Sequence, residues 1–259
     1  MAGRADYGNW VSLRLIYLPG MLGLVFLGLA LLLLPSVSLL LALALMVPPA
    51  LFFLIAGYFA YARNQFSARG GNVQDQIWGL VLENLDWNGE GKALDIGCGN
   101  GALSVKLAKK YGKAQVTGVD LWGGTWEFSK QACERNAEAE GVAERVSFQK
   151  ASAASLPFPD GFFDAAASNL AFHEVRDAKD KREVIREALR VVKKGGKFAF
   201  QDLFLNKHLY GETEDLVEVI RSWGVSKVKF VETRDAEFVP AALKLPFMVG
   251  TIGVIVGEK

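Results

Sequence analysis

The chain has 259 residues and divides by composition into an apolar N-terminal fifth and an ordinary globular remainder. Residues 15 to 62 carry no Asp, Glu, Lys, Arg or His over 48 consecutive positions, which excludes an ordinary soluble core. Without Arg4, Asp6 and Arg14, 27 basic and 27 acidic residues are left, a balance that argues against a nucleic-acid partner. Two cysteines and two histidines give neither metal-ligand spacing nor a disulfide framework, so we expect no metal and a reducing cytosol.

The apolar segment is long enough for two membrane helices. About 20 apolar residues span the roughly 30 Å hydrocarbon layer, so 48 uncharged residues cross it twice. The sequence Pro-Ser-Val-Ser at 35–38 interrupts the run near its middle. We therefore predict helices at about 13–34 and 39–60, within an N-terminal segment of residues 1–62.

The flanking charges predict the orientation of this helical hairpin. Arg4 and Arg14 precede the first span, Arg63 and Arg69 follow the second, and the connecting turn is uncharged. The positive-inside rule then puts both ends in the cytoplasm, which predicts a cell-membrane protein with two spans and a cytoplasmic globular domain. A cleaved signal peptide and a hairpin that does not fully cross the membrane are the alternatives.

The remainder reads as a linker, residues 63–91, followed by an α/β domain, residues 92–259. Gln74–Leu85 is predicted as an amphipathic entry helix, and Asp180–Lys194 as the clearest domain helix, with Val192 in its apolar stripe and Gly195-Gly196 as its stop. Short apolar runs alternate with such helices, a pattern typical of a parallel sheet covered by helices on both faces. The predicted strands are Lys92–Ile96, Gln115–Val119, Arg145–Gln149, Phe163–Ser168, Lys197–Gln201, Lys227–Val231 and Phe247–Val256.

A glycine-rich loop follows the first predicted strand and opens a helix. Its sequence from Leu94 to Gly101 is Leu-Asp-Ile-Gly-Cys-Gly-Asn-Gly. Gly97 and Gly99 permit positive φ and a close approach of the backbone to a ligand, and the following helix N-terminus offers unpaired N–H groups. Asp120 ends the second strand, where an acidic side chain accepts hydrogen bonds from ribose hydroxyls. The pattern predicts a site for an adenosine-bearing ligand.

Three segments in this order resemble the motifs of class I S-adenosylmethionine-dependent methyltransferases. They are residues 94–101, the Leu-Pro-Phe-Pro-Asp-Gly-Phe-Phe-Asp segment at 156–164, and residues 189–198, and they cover about residues 92–203. Within that class, the chain resembles the subgroup of ubiquinone/menaquinone-type and other small-molecule methyltransferases. The resemblance implies a Rossmann-like fold with a mostly parallel seven-stranded sheet, here preceded by the transmembrane hairpin, and S-adenosylmethionine as cofactor.

The resemblance also implies roles for individual residues. Asp120 would hold the ribose, and Leu121 or Trp122 one face of the adenine. The family commonly has Gly-Asp-Ala where this chain has Ala-Ser-Ala at 151–153, so Ser152, beside Ala153, would replace an aspartate that reaches the adenine amino group. The residues implied to hold the methionine part are Asp95, Gly97, Cys98, Gly99 and Gly101. Cys98 reads as a small packing residue rather than a nucleophile.

The reaction centre is predicted just after the fourth strand, at the carboxyl edge of the sheet, where open α/β folds bind their ligands. There Asn169 is a candidate cofactor contact, and His173 has a pKa suited to accepting a proton. His173 is either a general base or a residue that hydrogen-bonds the loop or lines the pocket without transferring a proton. Glu174 either orients His173 or is a solvated charge of the loop. Asp202, at the end of the fifth strand, is a second candidate for the base. The alternative is a carboxylate that makes only a structural hydrogen bond.

The sequence thus predicts an enzyme that transfers a methyl group from S-adenosylmethionine to a small, lipophilic acceptor at the membrane surface, with O- or C-methylation favoured. Two alternatives stay open: a non-catalytic membrane module that senses the cofactor or acts as a scaffold, and a nicotinamide-dependent oxidoreductase. The G-x-G-x-G spacing disfavours the oxidoreductase, because dinucleotide folds favour G-x-G-x-x-G. The anchor either helps to capture a lipid-phase acceptor or only localises the enzyme.

Overall fold

The computed structural model describes residues 4–123 and 128–259. This part of the chain divides into two compact units. Asn9–Asp75 forms the smaller unit, and residues 4–8 with Gln76–Lys259 form the larger one. The chain therefore leaves the larger unit at residue 9 and re-enters it at residue 76.

The smaller unit is a pair of long helices, α1 (Arg14–Leu33) and α2 (Leu39–Phe66), joined by a 3-10 turn at Leu34–Ser36. The helices pack closely at Gly23, where an added Cβ would lie 2.8 Å from the ring of Phe53. Because glycine has no side chain, the α2 ring packs directly on the α1 backbone.

Both helices are long and apolar enough to cross a membrane. Most of their large side chains are exposed; Leu32 is 77% and Leu40 82% exposed. Helix α1 agrees with its prediction to within one residue, whereas α2 continues six residues beyond the predicted end at 60. Residues 61–66 contain neither Gly nor Pro, and Arg63 lies in the last turn, where a positive charge favours the helix C-terminus.

The larger unit contains one seven-stranded sheet in the order β3-β2-β1-β4-β5-β7-β6. Strand β7 runs antiparallel to β5 and to β6, while the other pairs are parallel, so the predicted, mostly parallel sheet is confirmed. The strands are β1 (Gly91–Ile96), β2 (Ala114–Asp120), β3 (Val146–Lys150), β4 (Phe163–Asn169), β5 (Val192–Asp202), β6 (Lys227–Glu232) and β7 (Gly253–Glu258). The helices are α3 (Val73–Asn84), α4 (Ala102–Lys110), α5 (Lys130–Ala139), α6 (Lys181–Arg190), α7 (Lys207–Tyr210) and α8 (Thr213–Ser222).

Helices cover both faces of the sheet. Successive residues of a strand point to opposite faces, so neighbouring residues of β1 belong to different buried clusters. Leu94 and Ile96 of β1 belong to a buried cluster that includes residues of α6 and α8. Ala93 of the same strand belongs to a second cluster, which includes residues of α4 and α5 and the end of α3. The sheet is thus the middle of three layers, as the alternating pattern predicted.

The predicted helix at 180–194 is too long at its C-terminus. Helix α6 ends at Arg190, and Val192 begins β5, where it pairs with Phe163 of β4. The register between β4 and β5 then shifts, and Gly195-Gly196 lies inside β5 instead of stopping a helix. Val192 is fully buried in β5. A buried helix would also have an apolar residue at this position, so the sequence did not distinguish the helix from the strand.

The predicted last strand, Phe247–Val256, begins too early. Residues 247–252 form turns, in which the Val249 amide donates to the Leu243 carbonyl at 3.0 Å. Strand β7 begins at Gly253, opposite Asp202, the last residue of β5, and Glu232, the last of β6. The ends of the two neighbouring strands therefore set where β7 starts.

Candidate active site at the carboxyl edge of the sheet

The glycine loop lies between β1 and α4 and is fastened to β2. The amides of Gly97 and Cys98 both donate to the carbonyl of Val119, at 2.8 and 3.0 Å. Gly97 and Gly99 have φ of 74° and 54°, as the sequence predicted, and Gly101 also has a positive φ, 80°. The loop is therefore a preformed turn at the carboxyl end of the sheet.

The loop lies at the point where the strand order reverses, since β2 lies on one side of β1 and β4 on the other. Open α/β sheets bind ligands at this point. The loops after β1 and β4 touch there: a Cβ on Gly97 would lie 2.1 Å from the Cβ of Ala171. Below them, the Ser168 hydroxyl donates to the carbonyl of Ile96 at 2.8 Å.

The side chain of Asp120 links the glycine loop to the segment after β2. Its Oδ2 accepts from the Gly99 amide at 2.9 Å, and its Oδ1 accepts from the Trp122 amide at 2.8 Å. A carboxylate has about four lone-pair positions, so capacity is left for ribose hydroxyls. The Trp122 indole Nε1 donates to the Gly99 carbonyl at 2.9 Å, whereas Leu121 is 48% exposed. Trp122 is thus fixed against the loop, and Leu121 is the more accessible apolar side chain.

Asp95 lies beneath the loop and is almost fully buried. Its Oδ2 accepts from the Ser104 hydroxyl of α4 at 2.6 Å. Burial raises the pKa of Asp95 to about 7, the Ser104 hydrogen bond opposes this, and the nearby Asp120 adds to it. Asp95 therefore changes charge near neutral pH.

The two cysteines, both unpaired, are buried next to the same loop. The Cys133 thiol donates to the Gly99 carbonyl at 3.0 Å. The pKa of Cys98 is raised well above its usual value, mainly by burial, and Cys133 and Asp95 act in the same direction. A protonated, buried thiol is unreactive, which agrees with Cys98 as a packing residue.

The segment 151–153 runs beside Asp120. The Ala151 amide donates to the Asp120 carbonyl at 3.1 Å, and Ala153 packs on the core cluster that contains Val119. The Ser152 hydroxyl accepts from the Ala154 amide at 3.2 Å and lies 3.4 Å from a carboxylate oxygen of Asp177. Ser152 therefore stands beside the candidate cofactor site with its hydroxyl already used inside the protein.

Three buried amide oxygens at this edge have no hydrogen-bond partner among residues 4–123 and 128–259: Oδ1 of Asn100, in the loop, Oδ1 of Asn169, at the end of β4, and Oε1 of Gln201, which pairs with Asn169 in the register of β4 and β5. A buried acceptor without a donor costs about 1–3 kcal/mol, so such atoms call for an explanation. The ammonium group of a methionine moiety offers three donors. The unpaired acceptors at this edge thus fit the ammonium donors of S-adenosylmethionine.

His173 lies in the 3-10 turn Phe172–Glu174 after β4 and is held by Asp202 at the end of β5. Its Nδ1 is 2.7 Å from Oδ1 of the fully buried Asp202. Glu174 is 52% exposed, and its Oε1 is 3.6 Å from Nε2, beyond hydrogen-bond distance. The carboxylate that orients His173 is therefore Asp202, which the sequence offered only as a further candidate with a structural alternative.

The pKa of His173 reflects two opposing causes. Burial lowers it, but the hydrogen bond and the negative charge of Asp202, with a contribution from Glu174, raise it above its usual value overall. The Phe172 amide also donates to Asp202, at 2.8 Å, so the carboxylate and the histidine turn are fastened together. The pair has the arrangement of a base whose ring orientation is fixed by a buried acid.

Asn136 of α5 is a site residue that the sequence gave no reason to select. Its side-chain amide is buried, and its Nδ2 donates to the carbonyls of Asn100 and Asp6, both at 2.9 Å. Its Oδ1 accepts from the Asp6 amide, also at 2.9 Å. The segment before the hairpin is thus tied to the glycine loop through one side chain.

The fold and site define a class of protein. The fold is the Rossmann-like fold of class I methyltransferases. It has one antiparallel strand beside β5, helices on both faces of the sheet, and a glycine loop at the point where the strand order reverses. Residues 94–200 match the family model described as a methyltransferase domain. This stretch is an S-adenosylmethionine-dependent methyltransferase domain, and S-adenosylmethionine is its cofactor.

Similar proteins include 27-O-demethylrifamycin SV methyltransferase of Amycolatopsis mediterranei, which is 30% identical over 58% of this chain and 57% of that protein. The 2-phytyl-1,4-naphtoquinone methyltransferase of Trichormus variabilis is 32% identical over 50% of this chain and 54% of that protein. The chain thus spans about half the length of the curated relatives it matches. The structure of geranyl diphosphate C-methyltransferase from Streptomyces coelicolor A3(2) shares the fold, with a TM-score of 0.54 at 15% identity over 74% of this chain and 82% of that one.

Proposed function

We propose that this protein methylates a lipophilic acceptor at the cytoplasmic face of the cell membrane. The observation that carries the proposal is the meeting of the glycine loop, Asp120, Asn169 and the His173–Asp202 pair at one edge of the sheet. S-Adenosylmethionine supplies a methyl group already activated on a sulfonium sulfur. The protein then has to position the acceptor and, for a hydroxyl or acidic carbon, remove one proton.

Each residue at this edge has a role in the proposal. Asp120 accepts hydrogen bonds from the ribose, and the free oxygens of Asn100 and Asn169 accept from the ammonium group. His173 takes the proton of the acceptor on Nε2, because Nδ1 is engaged by Asp202. The buried Asp202 stabilises the imidazolium that forms, and Glu174 lies near enough to add to this effect.

The hairpin supports a membrane location. The amide of Asp6 bonds to Asn136, and the ring of Tyr7 lies 5.8 Å from that of Trp78, so the chain on both sides of the hairpin belongs to the larger unit. If α1 and α2 cross a bilayer, both of their outer ends are on one side. The positive-inside rule makes that side the cytoplasm.

Two relatives support the chemical class of the acceptor. One is named for 27-O-demethylrifamycin SV, and one for a naphthoquinone with a phytyl chain. The acceptor proposed here is likewise lipophilic. The preference for O- or C-methylation over N-methylation comes from the sequence alone, since two N-methyltransferases are also among the relatives. An anchored enzyme meets such a molecule where it is concentrated, in the bilayer.

The first test is cofactor binding by the full-length protein in nanodiscs, measured by calorimetry with S-adenosylmethionine and S-adenosylhomocysteine. Asp120→Ala should weaken binding at least tenfold, since it removes a ligand acceptor and two loop hydrogen bonds. Asp86→Ala is the matched control, because that carboxylate is completely exposed. Equal affinities in wild type and Asp120→Ala would contradict the assigned site.

The second test is methyl transfer. The protein in nanodiscs receives methyl-labelled S-adenosylmethionine and either 2-phytyl-1,4-naphthoquinone that has been reduced to its quinol, whose ring carbon is nucleophilic, or a membrane lipid extract, and label is counted in the organic phase. Label above that of a His173→Ala control supports the proposal. Tight cofactor binding without transfer to any extract would favour the non-catalytic alternative.

A further inference from the structure

A buried glutamine near the end of β5 has an unused hydrogen-bond acceptor. Gln201 is fully buried, and its Oε1 has no hydrogen-bond partner among residues 4–123 and 128–259. The free oxygens of Asn100 and Asn169 serve the cofactor in the proposed function, whereas Gln201 has no role there. A buried polar atom without a partner destabilises the folded state, so the position of Oε1 calls for an explanation other than packing.

The side chain of Gln201 is held in one orientation. Its Nε2 donates to the hydroxyl oxygen of Thr233 at 2.9 Å, and Thr233, just after β6, is itself fully buried. The Thr233 amide donates to the Ile252 carbonyl at 3.1 Å, so the partner of Gln201 is fixed as well. An amide group carries its nitrogen and its oxygen on different arms of one plane. Because the nitrogen arm is bound to Thr233, the oxygen arm points in another direction and is free to accept.

Gln201 lies between the residues that serve the cofactor and those that serve the acceptor. It pairs with Asn169 in the register of β4 and β5, and neighbouring strands are about 4.8 Å apart. In the order of the sheet, β4 separates β5 from β1 and its glycine loop, so Gln201 is one strand further from the loop than Asn169. Its backbone carbonyl accepts from the Leu170 amide at 2.8 Å, and the next residue, Asp202, holds the proposed base His173. This position is on the acceptor side of the cofactor.

The chemistry of an amide oxygen restricts which acceptor it binds. The oxygen only accepts hydrogen bonds, so its ligand must carry a donor. Among lipophilic molecules, phenols, quinols and alcohols carry a donor in their hydroxyl groups. Quinones, ethers and esters carry oxygens that only accept, and they would leave Oε1 of Gln201 unpaired. A site with a buried group that bonds a hydroxyl discriminates strongly against the analogue that lacks it.

We propose that Oε1 of Gln201 accepts a hydrogen bond from a hydroxyl group of the methyl acceptor, which is therefore a phenol or a quinol and not a quinone. This inference rests on the proposed function and deepens it by naming the substrate class. Gln201 binds and orients the acceptor, Thr233 fixes the amide of Gln201, and His173 keeps its role as the base. In a quinol, one hydroxyl bonds to Gln201 while the remainder of the ring is presented to the methyl group.

The test compares 2-methyl-1,4-naphthalenediol with its dimethyl ether, which has no hydroxyl group. Binding is measured by anaerobic calorimetry on the full-length protein in nanodiscs, saturated with S-adenosylhomocysteine so that no methyl group is transferred. Empty nanodiscs give the background of partition into lipid.

Three variants separate the possible roles of the side chain. Gln201→Met removes the oxygen and keeps the length of the side chain. Gln201→Glu keeps oxygens that accept but has no N–H group to donate, and the Thr233 hydroxyl can donate to it. Gln115→Met, at an exposed amide near the amino end of β2, is the matched control. Thermal unfolding shows whether each variant is folded, and the comparison of wild type with Gln201→Glu stands without Gln201→Met.

Wild type, Gln115→Met and Gln201→Glu should bind the diol at least about tenfold more tightly than the ether, and Gln201→Met should bind the two with similar affinity. The affinity for S-adenosylhomocysteine should be unchanged in all of them.

Four results would overturn the proposal. A diol that wild type does not prefer shows that no ligand hydroxyl bonds to Oε1. A preference that persists in Gln201→Met shows that the shape of the ligand is selected, and one that is lost in Gln201→Glu shows that the amide presents its nitrogen. Weaker binding of S-adenosylhomocysteine by folded Gln201→Met assigns Gln201 to the cofactor. If wild type does not bind S-adenosylhomocysteine, the proposed function itself has failed, and the inference fails with it.

Discussion

Nδ1 of His173 lies 2.7 Å from Oδ1 of Asp202, and this carboxylate is fully buried at the end of β5. The contact fixes the imidazole ring and leaves Nε2 for a proton from outside. It also determines the pH behaviour of the site, because the carboxylate stabilises the charged ring and raises the pKa of His173. A base works in its neutral form, so the rate should rise with pH through this raised pKa.

Asp202→Asn should move that rise to lower pH and lower the maximal rate. The amide keeps the shape of the side chain but removes the negative charge, so the pKa of His173 falls and the imidazolium loses its stabilisation. We expect a loss of about 10²-fold in kcat, within the usual range for acid–base catalysis. The measurement is the pH profile of kcat with a lipid-phase acceptor. Glu174→Gln is the control and should change the profile little, and an unshifted acidic limb in Asp202→Asn would exclude the pair as the titrating unit.

Ser104→Ala should change how cofactor affinity depends on pH. Burial raises the pKa of Asp95 to about 7, and the Ser104 hydrogen bond keeps it from rising further. A cationic ligand nearby favours ionised Asp95, so affinity should increase with pH through about 7, by at most about tenfold per pH unit below it. Ser104→Ala raises the pKa and should move this increase to higher pH. Calorimetry at several pH values checks it, and coincident curves for the two proteins would refute the role of Asp95.

The fold was largely predictable because the signals for it are local. Short apolar runs bounded by polar turns located six strands to within a few residues, except that β5 also takes in Val192–Gly196. The errors occurred where a buried apolar run fits two structures. Phe247–Ile252 became a turn because β5 and β6 end opposite Gly253, a limit set by residues about 20 and 50 positions away.

The site was predictable to the extent that parallel strands end at one edge. This rule brought Asp120, Asn169, His173 and Asp202 together before any contact was known. It does not say which side chains bond to each other. Asp202 is 29 positions from His173, and Asp6 is 130 positions from Asn136, so both pairings depend on the folded chain.

Gly97→Ala should abolish cofactor binding and destabilise the larger unit. Gly97 has φ of 74°, and its added Cβ would lie 2.1 Å from the Cβ of Ala171, so the loops after β1 and β4 must separate. Gly123→Ala is the matched control: its φ is 85°, but an added Cβ would meet no atom of residues 4–123 and 128–259 within 4 Å. The control should show only the cost of positive φ, about 1–3 kcal/mol at most. Thermal unfolding of both proteins in nanodiscs measures the difference, and equal losses would mean that contact with Ala171 is unimportant.

Asn136→Ala should loosen the glycine loop and the N-terminal segment together. The substitution removes two donated hydrogen bonds and one accepted one, and leaves the Asn100 carbonyl and the Asp6 amide without these partners. We expect a loss of about 1–3 kcal/mol in unfolding free energy and weaker binding of S-adenosylhomocysteine. Gln115→Ala, at an exposed amide on β2, should change neither quantity. Hydrogen exchange distinguishes the cause: faster exchange at both residues 6–8 and 97–101 is expected, whereas faster exchange at only one of the two segments would show that Asn136 does not couple them.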